Sequence, residues 1–190
     1  MEKIKLKILG VTFSQVQTGA YALILKEENG QRRFPVIVGT PEAQSIAIFM
    51  DNLTPPRPLT HDLFVSFAKT ADIEIVAANI YKYEDGVFYS ELVFIHNEKE
   101  LRIDSRTSDA VAIAIRLEVP VYTTEEIMRE VSVVLEDDDL ADNEDDTAKN
   151  KISYDIMNIE DLQKKMNDAI INEDYEKASH IRDLINKRTR

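Results

Sequence analysis

The sequence predicts an α+β fold in which antiparallel hairpins pack with helices gathered on one side, followed by an acidic linker and a C-terminal αα-hairpin. Two hairpin signals, Asn29-Gly30 and Asp85-Gly86, each separate a pair of apolar-rich runs. Asn29-Gly30 predicts a type I′ turn, because both residues accept positive φ. Between and after them, segments with apolar residues at helical spacing begin at residues that favour helix starts. A run of acidic residues then separates this part from two further helical segments.

Strands are predicted from alternation and from the hairpin signals. Residues 3–9 alternate between apolar side chains and lysines, a pattern typical of an edge strand with one wet face. Residues 11–17 are expected to continue this strand and to pair with the first hairpin. The two hairpins and a shorter strand beside the second one are predicted over residues 20–28, 31–38, 73–83, 87–96 and 100–104.

Helices are predicted where a capping residue precedes a stripe of apolar residues. The first covers residues 41–52 after Thr40, and Thr60 is expected to cap the second. A third contains the small apolar residues 110–115, and a short fourth covers residues 125–130. The side chains of the second helix that are expected to face the core are Leu63, Phe64, Phe67 and Ala68.

Charge divides the chain into three parts, the first of which is a main domain over residues 1–135. Residues 136–150 carry eight acids against one lysine, which predicts a disordered, self-repelling linker. Residues 151–190 carry eight charges of each sign and two apolar stripes, which predict a helical hairpin with one apolar seam. The stripes are Leu162, Met166, Ala169 and Ile170, and Ala178, Ile181, Leu184 and Ile185. A hairpin of about 30 residues buries little area by itself, so a partner or a second copy is expected to cover the seam.

The composition indicates a soluble protein of the cytoplasm. The 190 residues are 44% hydrophobic and 31% charged, and no apolar run is long enough to span a membrane. The N-terminus lacks the apolar core of a signal peptide, and the absence of cysteine excludes disulfides and thiolate metal sites. The formal net charge of −12 argues against broad, non-specific binding of phosphates, but it leaves room for a local basic pocket.

A rigid polar stretch between the first two helices, residues 54–63, is the strongest site candidate. Three of its residues are prolines, which hold the backbone extended up to the start of the second helix. Arg57, His61 and Asp62 are therefore expected to lie close together at a helix N-terminus. A second polar run, residues 104–109, precedes the third helix.

The chain resembles two known families. Phe-Pro-Val-Ile-Val-Gly at 34–39, Arg-Pro-Leu-Thr-His-Asp at 57–62 and Asp-Ser-Arg-Thr-Ser-Asp-Ala at 104–110 are similar, in this order, to the bifunctional nuclease family. Glu-Asp-Tyr-Glu-Lys-Ala at 173–178 resembles the UVR motif of the excision-repair proteins UvrB and UvrC. The first resemblance implies DNase and RNase activity and a homodimer. The second implies a protein partner that docks on residues 159–188, and a link to DNA repair.

Hydrolysis of a phosphodiester needs an activated water, stabilisation of the charge at phosphorus and a proton for the leaving oxygen. Clustered carboxylates can hold Mg²⁺ or Mn²⁺ for this purpose, and arginines can bind the phosphate. The candidate metal ligands are Asp62, Asp104 and Asp109, with Glu42 as a fourth. The same three aspartates and His61, as general base, are the candidate catalytic residues, while Arg57 and Arg106 are the candidates for binding substrate phosphate.

Each candidate also has a structural interpretation. Glu42, Asp62 and Asp109 occupy first helical turns, where a carboxylate stabilises the helix dipole without any function. A histidine is often a hydrogen-bonded structural residue, and the two arginines can pair with nearby aspartates. Two hypotheses therefore remain. One is a metal-assisted nuclease with a docking hairpin, and the other is a non-catalytic oligomeric adaptor that recruits a partner through that hairpin.

Overall fold

The computed structural model of the chain describes residues 3–14, 20–134, 159–172 and 174–188. The predicted linker, residues 136–150, and residues 15–17 of the predicted first strand lie outside the described residues. In chain order, the elements are β1 (Lys3–Phe13), β2 (Tyr21–Glu27), β3 (Arg32–Val38), α1 (Thr40–Met50), α2 (Thr60–Thr70), β4 (Glu74–Glu84), β5 (Val87–His96), β6 (Lys99–Arg106), α3 (Thr107–Leu117), β7 (Val121–Thr124), α4 (Glu125–Val131), β8 (Val133–Val134), α5 (Ile159–Ile171) and α6 (Tyr175–Arg188).

The strands form one eight-stranded sheet in the order β6-β5-β4-β7-β1-β2-β3-β8. Neighbouring strands run antiparallel, except that β4 and β7 are parallel. The α+β prediction is confirmed. The hairpin signals could not reveal the parallel pair. Helix α3 carries the chain from β6 back across β5 and β4, so that β7 enters the sheet between β4 and β1 and runs parallel to β4.

Strand β1 lies inside the sheet, so the prediction of an edge strand is wrong. β7 pairs with one side of it and β2 with the other. Its lysines bind neighbouring side chains: Lys3 Nζ donates to Asn79 Oδ1 at 3.3 Å, and Lys5 Nζ pairs with Glu28 Oε1 at 2.8 Å. Lysines on a wet sheet face therefore mark the solvated side here and do not mark an edge.

Both predicted hairpins form, but the type I′ turn predicted at Asn29-Gly30 is absent and such a turn occurs at Asp85-Gly86 instead. Asp85 and Gly86 have φ of 51° and 81°, as a type I′ turn requires. Neither Asn29 nor Gly30 has a positive φ, and they lie within a longer connection over residues 28–31. The hairpin signal therefore located the first turn correctly and predicted its geometry wrongly.

The sheet curls strongly, so strands that are distant in its order meet across the core. Phe34 on β3 stacks on Phe88 on β5, with ring centroids 5.4 Å apart. Five strand spacings separate these strands in the sheet order, which would place them about 24 Å apart in a flat sheet. Helix α3 lies in this curl and contacts α1, α2, β3, β4, β5 and β6. Residues 110–114 of α3 are all buried, because small side chains allow close contact on every side.

Helix α2 turns a different face to the core from the one that was predicted. Val65 and Ala68 are buried, together with His61, whereas Leu63 and Phe67 are 65% and 61% exposed. The physical reason is the polar start of the helix, where His61 turns inward to bond with the neighbouring helices. The four-residue apolar stripe of the prediction is therefore wrong in two of its members.

The C-terminal segment forms the predicted helical hairpin, α5 and α6. Leu162, Ala169, Ala178 and Ile181 are buried between the helices. Ile170 was predicted to lie in the same seam, but it is 46% exposed. Leu53, in the loop after α1, also packs against the hairpin core. None of the helices in the described ranges is long and apolar enough to cross a membrane.

Candidate functional site

The first turns of α1, α2 and α3 meet in space and bring four of the sequence candidates together. Glu42 belongs to α1, His61 to α2 and Asp109 to α3, while Arg106 is the residue just before α3. Ion pairs and hydrogen bonds join all four. The three helix starts therefore converge at one place on the surface.

Arg106 is held by two carboxylates and remains open to solvent. Its Nε donates to Asp109 Oδ2 at 2.7 Å, and its Nη2 donates to Glu42 Oε1 at 2.7 Å and to Asp109 Oδ1 at 3.1 Å. The Arg106 side chain is 67% exposed, whereas the side chains of Glu42 and Asp109 are 14% and 26% exposed. The two carboxylates thus fix a guanidinium group at the surface.

His61 lies beneath this surface and connects α2 to both neighbouring helices. Its Nε2 is 3.0 Å from Asp109 Oδ1, and its Nδ1 is 2.8 Å from Ser45 Oγ on α1. The residue is only 9% exposed. Both ring nitrogens therefore have partners in the protein, and the histidine cannot approach a substrate directly in this arrangement.

Arg116, near the end of α3, binds the serine that contacts His61. Its Nη2 donates to Ser45 Oγ at 2.9 Å and to the Ser45 carbonyl oxygen at 3.0 Å. Because Ser45 Oγ accepts from Arg116, its own hydrogen is free to point at His61 Nδ1. In the tautomer that this pattern favours, Nε2 carries a hydrogen and donates a hydrogen bond to Asp109 Oδ1. We assign this tautomer from the bonding pattern.

Arg116 also binds Asp62 on α2, and this pair forms the inner end of the network. Arg116 Nε is 2.6 Å from Asp62 Oδ1, and Asp62 Oδ2 accepts from the Leu59 N–H at 2.7 Å. The Arg116 side chain is 4% exposed and also donates to the carbonyl of Ala112 at 2.8 Å. Asp62, and not Thr60, therefore binds the free N–H at the start of α2, so the predicted capping role of Thr60 is wrong.

The two aspartates of the network are stabilised in their ionised form. Burial alone would raise the pKa of Asp109, but hydrogen bonds from Arg106 and His61 outweigh it and lower that pKa. Burial likewise acts to raise the pKa of Asp62, and the hydrogen bonds from Arg116 and the Leu59 N–H lower it overall. Both side chains are therefore carboxylates at neutral pH.

These lowered pKa values predict part of the acid sensitivity of the fold. An aspartate whose pKa lies below its unfolded value, about 3.9, stabilises the fold above that pH and loses its contribution as the pH falls through the lowered value. Asp62→Asn cannot titrate, so the variant should lose less stability than the unmodified chain between pH 7 and pH 3, measured by urea unfolding. Asp51→Asn, at an exposed carboxylate, should behave like the unmodified chain. Equal losses in all three proteins would contradict the prediction.

Two sequence candidates are not bonded to this network. Asp104, on β6, accepts a hydrogen bond from the hydroxyl of Tyr81 at 3.1 Å. Arg57 is exposed in the proline-rich loop and makes no ion pair with any residue in the described part of the chain. The expected proximity of Arg57 to His61 and Asp62 therefore produces no bond, and its function stays a prediction.

The four candidate metal ligands do not form one ligand set. Glu42 and Asp109 share Arg106, Asp62 binds Arg116, and Asp104 contacts a tyrosine. Across the described ranges, no group of three or more histidine and acidic side chains is arranged to hold a metal ion. In this arrangement the residues do not fit a divalent cation.

Sequence reasoning missed Ser45 and Arg116, although both are central to the network. Ser45 is a buried polar residue on a helix whose other buried members are apolar. Arg116 is the one charged residue that follows the apolar run 110–115 of α3. A single polar side chain on an otherwise apolar helix face was the available signal, because a buried polar group needs partners.

Two family models match the chain. A model described as the bifunctional nuclease domain matches residues 23–136, and one described as the UvrB/UvrC motif matches residues 158–187. Two proteins from different strains of Mycobacterium tuberculosis, both described as uncharacterized, are each 30% identical over 164 residues, which covers 84% of this chain and 98% of each relative. The matches confirm both resemblances and their order. The chain therefore belongs to the bifunctional nuclease domain family and carries a UVR motif after that domain.

Proposed function

We propose that the chain is a nuclease that hydrolyses phosphodiester bonds of DNA, RNA or both, and that it docks on a protein partner through the α5–α6 hairpin. The observation that carries the nuclease proposal is the hydrogen-bonded series from buried Ser45 through His61 and Asp109 to exposed Arg106. It links a buried imidazole to a surface guanidinium through a single carboxylate. The UVR motif supports the docking part and a role connected with DNA repair.

Arg106 is proposed to bind the scissile phosphate. The positive charge of its guanidinium stabilises the extra negative charge of the transition state. Nε and Nη2 of Arg106 are occupied by Asp109 and Glu42, which leaves Nη1 for the substrate. Arg57 is proposed to contact a neighbouring phosphate of the same strand from the exposed loop before α2.

Asp109 is proposed to activate the attacking water. As the water oxygen bonds to phosphorus, one water proton moves to the Asp109 carboxylate and the bond from phosphorus to the leaving sugar oxygen breaks. The leaving oxygen then takes a proton from solvent. His61 donates from Nε2 to Asp109 and orients the carboxylate, and Ser45 and Arg116 hold the imidazole in place. His61 is thus a positioning residue in this proposal, and the candidate role of Asp104 has no support from the network.

Incubation of single-stranded DNA and RNA with the purified chain tests the proposal. Mg²⁺, Mn²⁺ and EDTA are added in separate reactions, which test whether cleavage requires a metal ion. We expect cleavage by the unmodified chain and a strong loss with Arg106→Gln. Arg129→Gln, an exposed arginine on α4, is the matched control and should cleave normally. No cleavage under any condition would overturn the nuclease proposal.

A second candidate is a non-catalytic adaptor, and one observation favours it. The helical hairpin exposes three large side chains around its turn: Ile170, Ile171 and Tyr175 are 46%, 76% and 67% exposed. Exposed apolar groups that lie close together mark protein-binding surfaces. In this case the chain is an oligomeric adaptor that recruits a partner through the hairpin, and an inactive chain in the cleavage assay would favour this function.

A further inference from the structure

Strand β6 is an open edge of the sheet. It pairs with β5 on one side, and it is the last strand in the sheet order. In the part of the chain that the structure describes, no strand pairs with its other side, and seven of its eight residues are exposed. An exposed edge of this length can pair with another strand, and proteins usually block such edges with prolines, bulges or like charges. β6 has no proline, and its charges alternate in sign.

The two faces of β6 differ in chemistry. Successive side chains of a strand point to opposite faces. Leu101 and Ile103 lie on one face and are 42% and 47% exposed, which is high for apolar side chains in a sheet. The other face carries charges in the order minus, plus, minus, plus, from Glu100, Arg102, Asp104 and Arg106.

We propose that β6 pairs antiparallel with β6 of a second copy of this chain, about a two-fold axis at Ile103. This register places Arg102 opposite Asp104 of the second copy and Glu100 opposite Arg106 of the second copy. Symmetry repeats both pairs, so four cross-strand pairs of opposite charge form on one face. On the other face the two Ile103 side chains meet, and each Leu101 packs beside a serine. Directly opposite charges and apolar pairs are the contacts that stabilise a strand pair.

The neighbouring registers are less favourable. A two-fold axis perpendicular to the sheet places the same face of both copies on the same side of the joined sheet. Moving the axis to the next residue of β6 shifts the pairing by two residues, so only such steps are possible. Centring the pair on Arg102 places this arginine opposite itself and Glu100 opposite Asp104. Centring it on Asp104 brings the two aspartates together and sets Arg102 opposite Arg106. Both registers put like charges directly opposite each other, which is destabilising.

A register centred on Leu101 forms only the pairs between Glu100 and Arg102 and leaves Arg106 beyond the paired segment. The charge pattern of β6 therefore selects Ile103 as the centre. This register also sets Glu100 of the second copy opposite Arg106, whose Nε and Nη2 stay bound to Asp109 and Glu42. The inference concerns the β6 edge and does not depend on nuclease activity.

A single cysteine tests the register directly, because the chain contains none. Ile103→Cys places two thiols opposite each other at the two-fold axis. Opposed residues of antiparallel strands have Cα atoms about 4.5–5.5 Å apart, which falls within the range for disulfides. Mild oxidation should therefore give a covalent dimer on a non-reducing gel. Phe67→Cys, which is 61% exposed on α2, is the control and should stay monomeric on the same gel.

A charge exchange tests the pairing without a covalent bond. Arg102→Glu places a glutamate opposite Asp104 of the second copy and should weaken the dimer at least 10-fold by analytical ultracentrifugation. Arg102→Glu combined with Asp104→Arg restores opposite charges and should restore the dimer. Circular dichroism and thermal unfolding verify that both variants fold. A monomeric unmodified chain, no covalent dimer from Ile103→Cys, or no recovery in the combined variant would overturn the proposal.

Discussion

Arg116→Met is expected to lower the free energy of unfolding by about 3 kcal/mol, because it leaves the partly buried Asp62 carboxylate without its ion pair and removes the donor from three further acceptors. Arg116 Nε binds Asp62, and its other nitrogens donate to the carbonyls of Ser45 and Ala112 and to the Ser45 hydroxyl. Methionine fills similar volume but supplies no donor. The centroid of the Phe49 ring lies 5.3 Å from the guanidinium carbon. Methionine still packs against this ring, so the lost stability measures the polar contacts.

Urea unfolding at pH 7 measures this loss. Arg129→Met is the matched control, since Arg129 is 76% exposed and pairs with Glu125 on the same helix. Its expected cost is about 0.5 kcal/mol or less, as for other exposed pairs. Asp62→Asn combined with Arg116→Met should cost less than the sum of the single changes, because their shared ion pair is lost only once. Similar losses for Arg116→Met and Arg129→Met would show that the buried network does not support the fold.

Asp109→Asn is expected to lower kcat for phosphodiester cleavage by about 100-fold or more, if the proposed nuclease activity is present. General acid–base groups contribute about 10²–10⁴-fold to rate, and an amide cannot accept the water proton. Asp109 is also the single carboxylate that links His61 to Arg106. The substitution therefore removes the base, and its single amide oxygen can keep only part of the bonding to His61 and Arg106.

Steady-state kinetics distinguish the two roles that Asp109 can have. A loss confined to kcat supports proton transfer, whereas a rise in KM with unchanged kcat would mean that Asp109 serves only to hold Arg106 for substrate binding. The pH profile gives a second test. Because hydrogen bonds from Arg106 and His61 lower the pKa of Asp109, the acid limb of the profile should lie below the ordinary titration range of an aspartate. Asp72→Asn, at an exposed position with φ of 55° that suits asparagine, is the matched control and should keep full activity.

Local signals in the sequence were sufficient for most of the secondary structure. Asp85-Gly86 predicted the place of a turn, and both residues adopt the positive φ that few other residues tolerate. Strands β7 and β8 were not predicted, since four and two residues are too short to show a periodic pattern. The position of β1 inside the sheet could not be predicted either. The alternation of apolar and charged residues describes one strand and does not show which strands pair with its two edges.

Local signals in the sequence also predicted part of the candidate site. His61, Asp109, Arg106 and Glu42 were identified as polar residues at helix starts, and they do meet. Asp104 resembled them in sequence, yet it faces Tyr81 on the sheet. A helix start favours a carboxylate whether or not the carboxylate has a function, so sequence position alone cannot separate the two cases.

By itself, the sequence determined the α+β class, the two hairpins, the helical segments and the family, because these depend on local periodicity, turn residues and motif order. Only the tertiary structure decided which side chains meet. The curl of the sheet around α3 brings three helix starts together, turns His61 inward and buries Arg116 between Ser45 and Asp62. These contacts join residues 16 to 71 positions apart in the chain, and long-range packing of that kind leaves no local pattern to read.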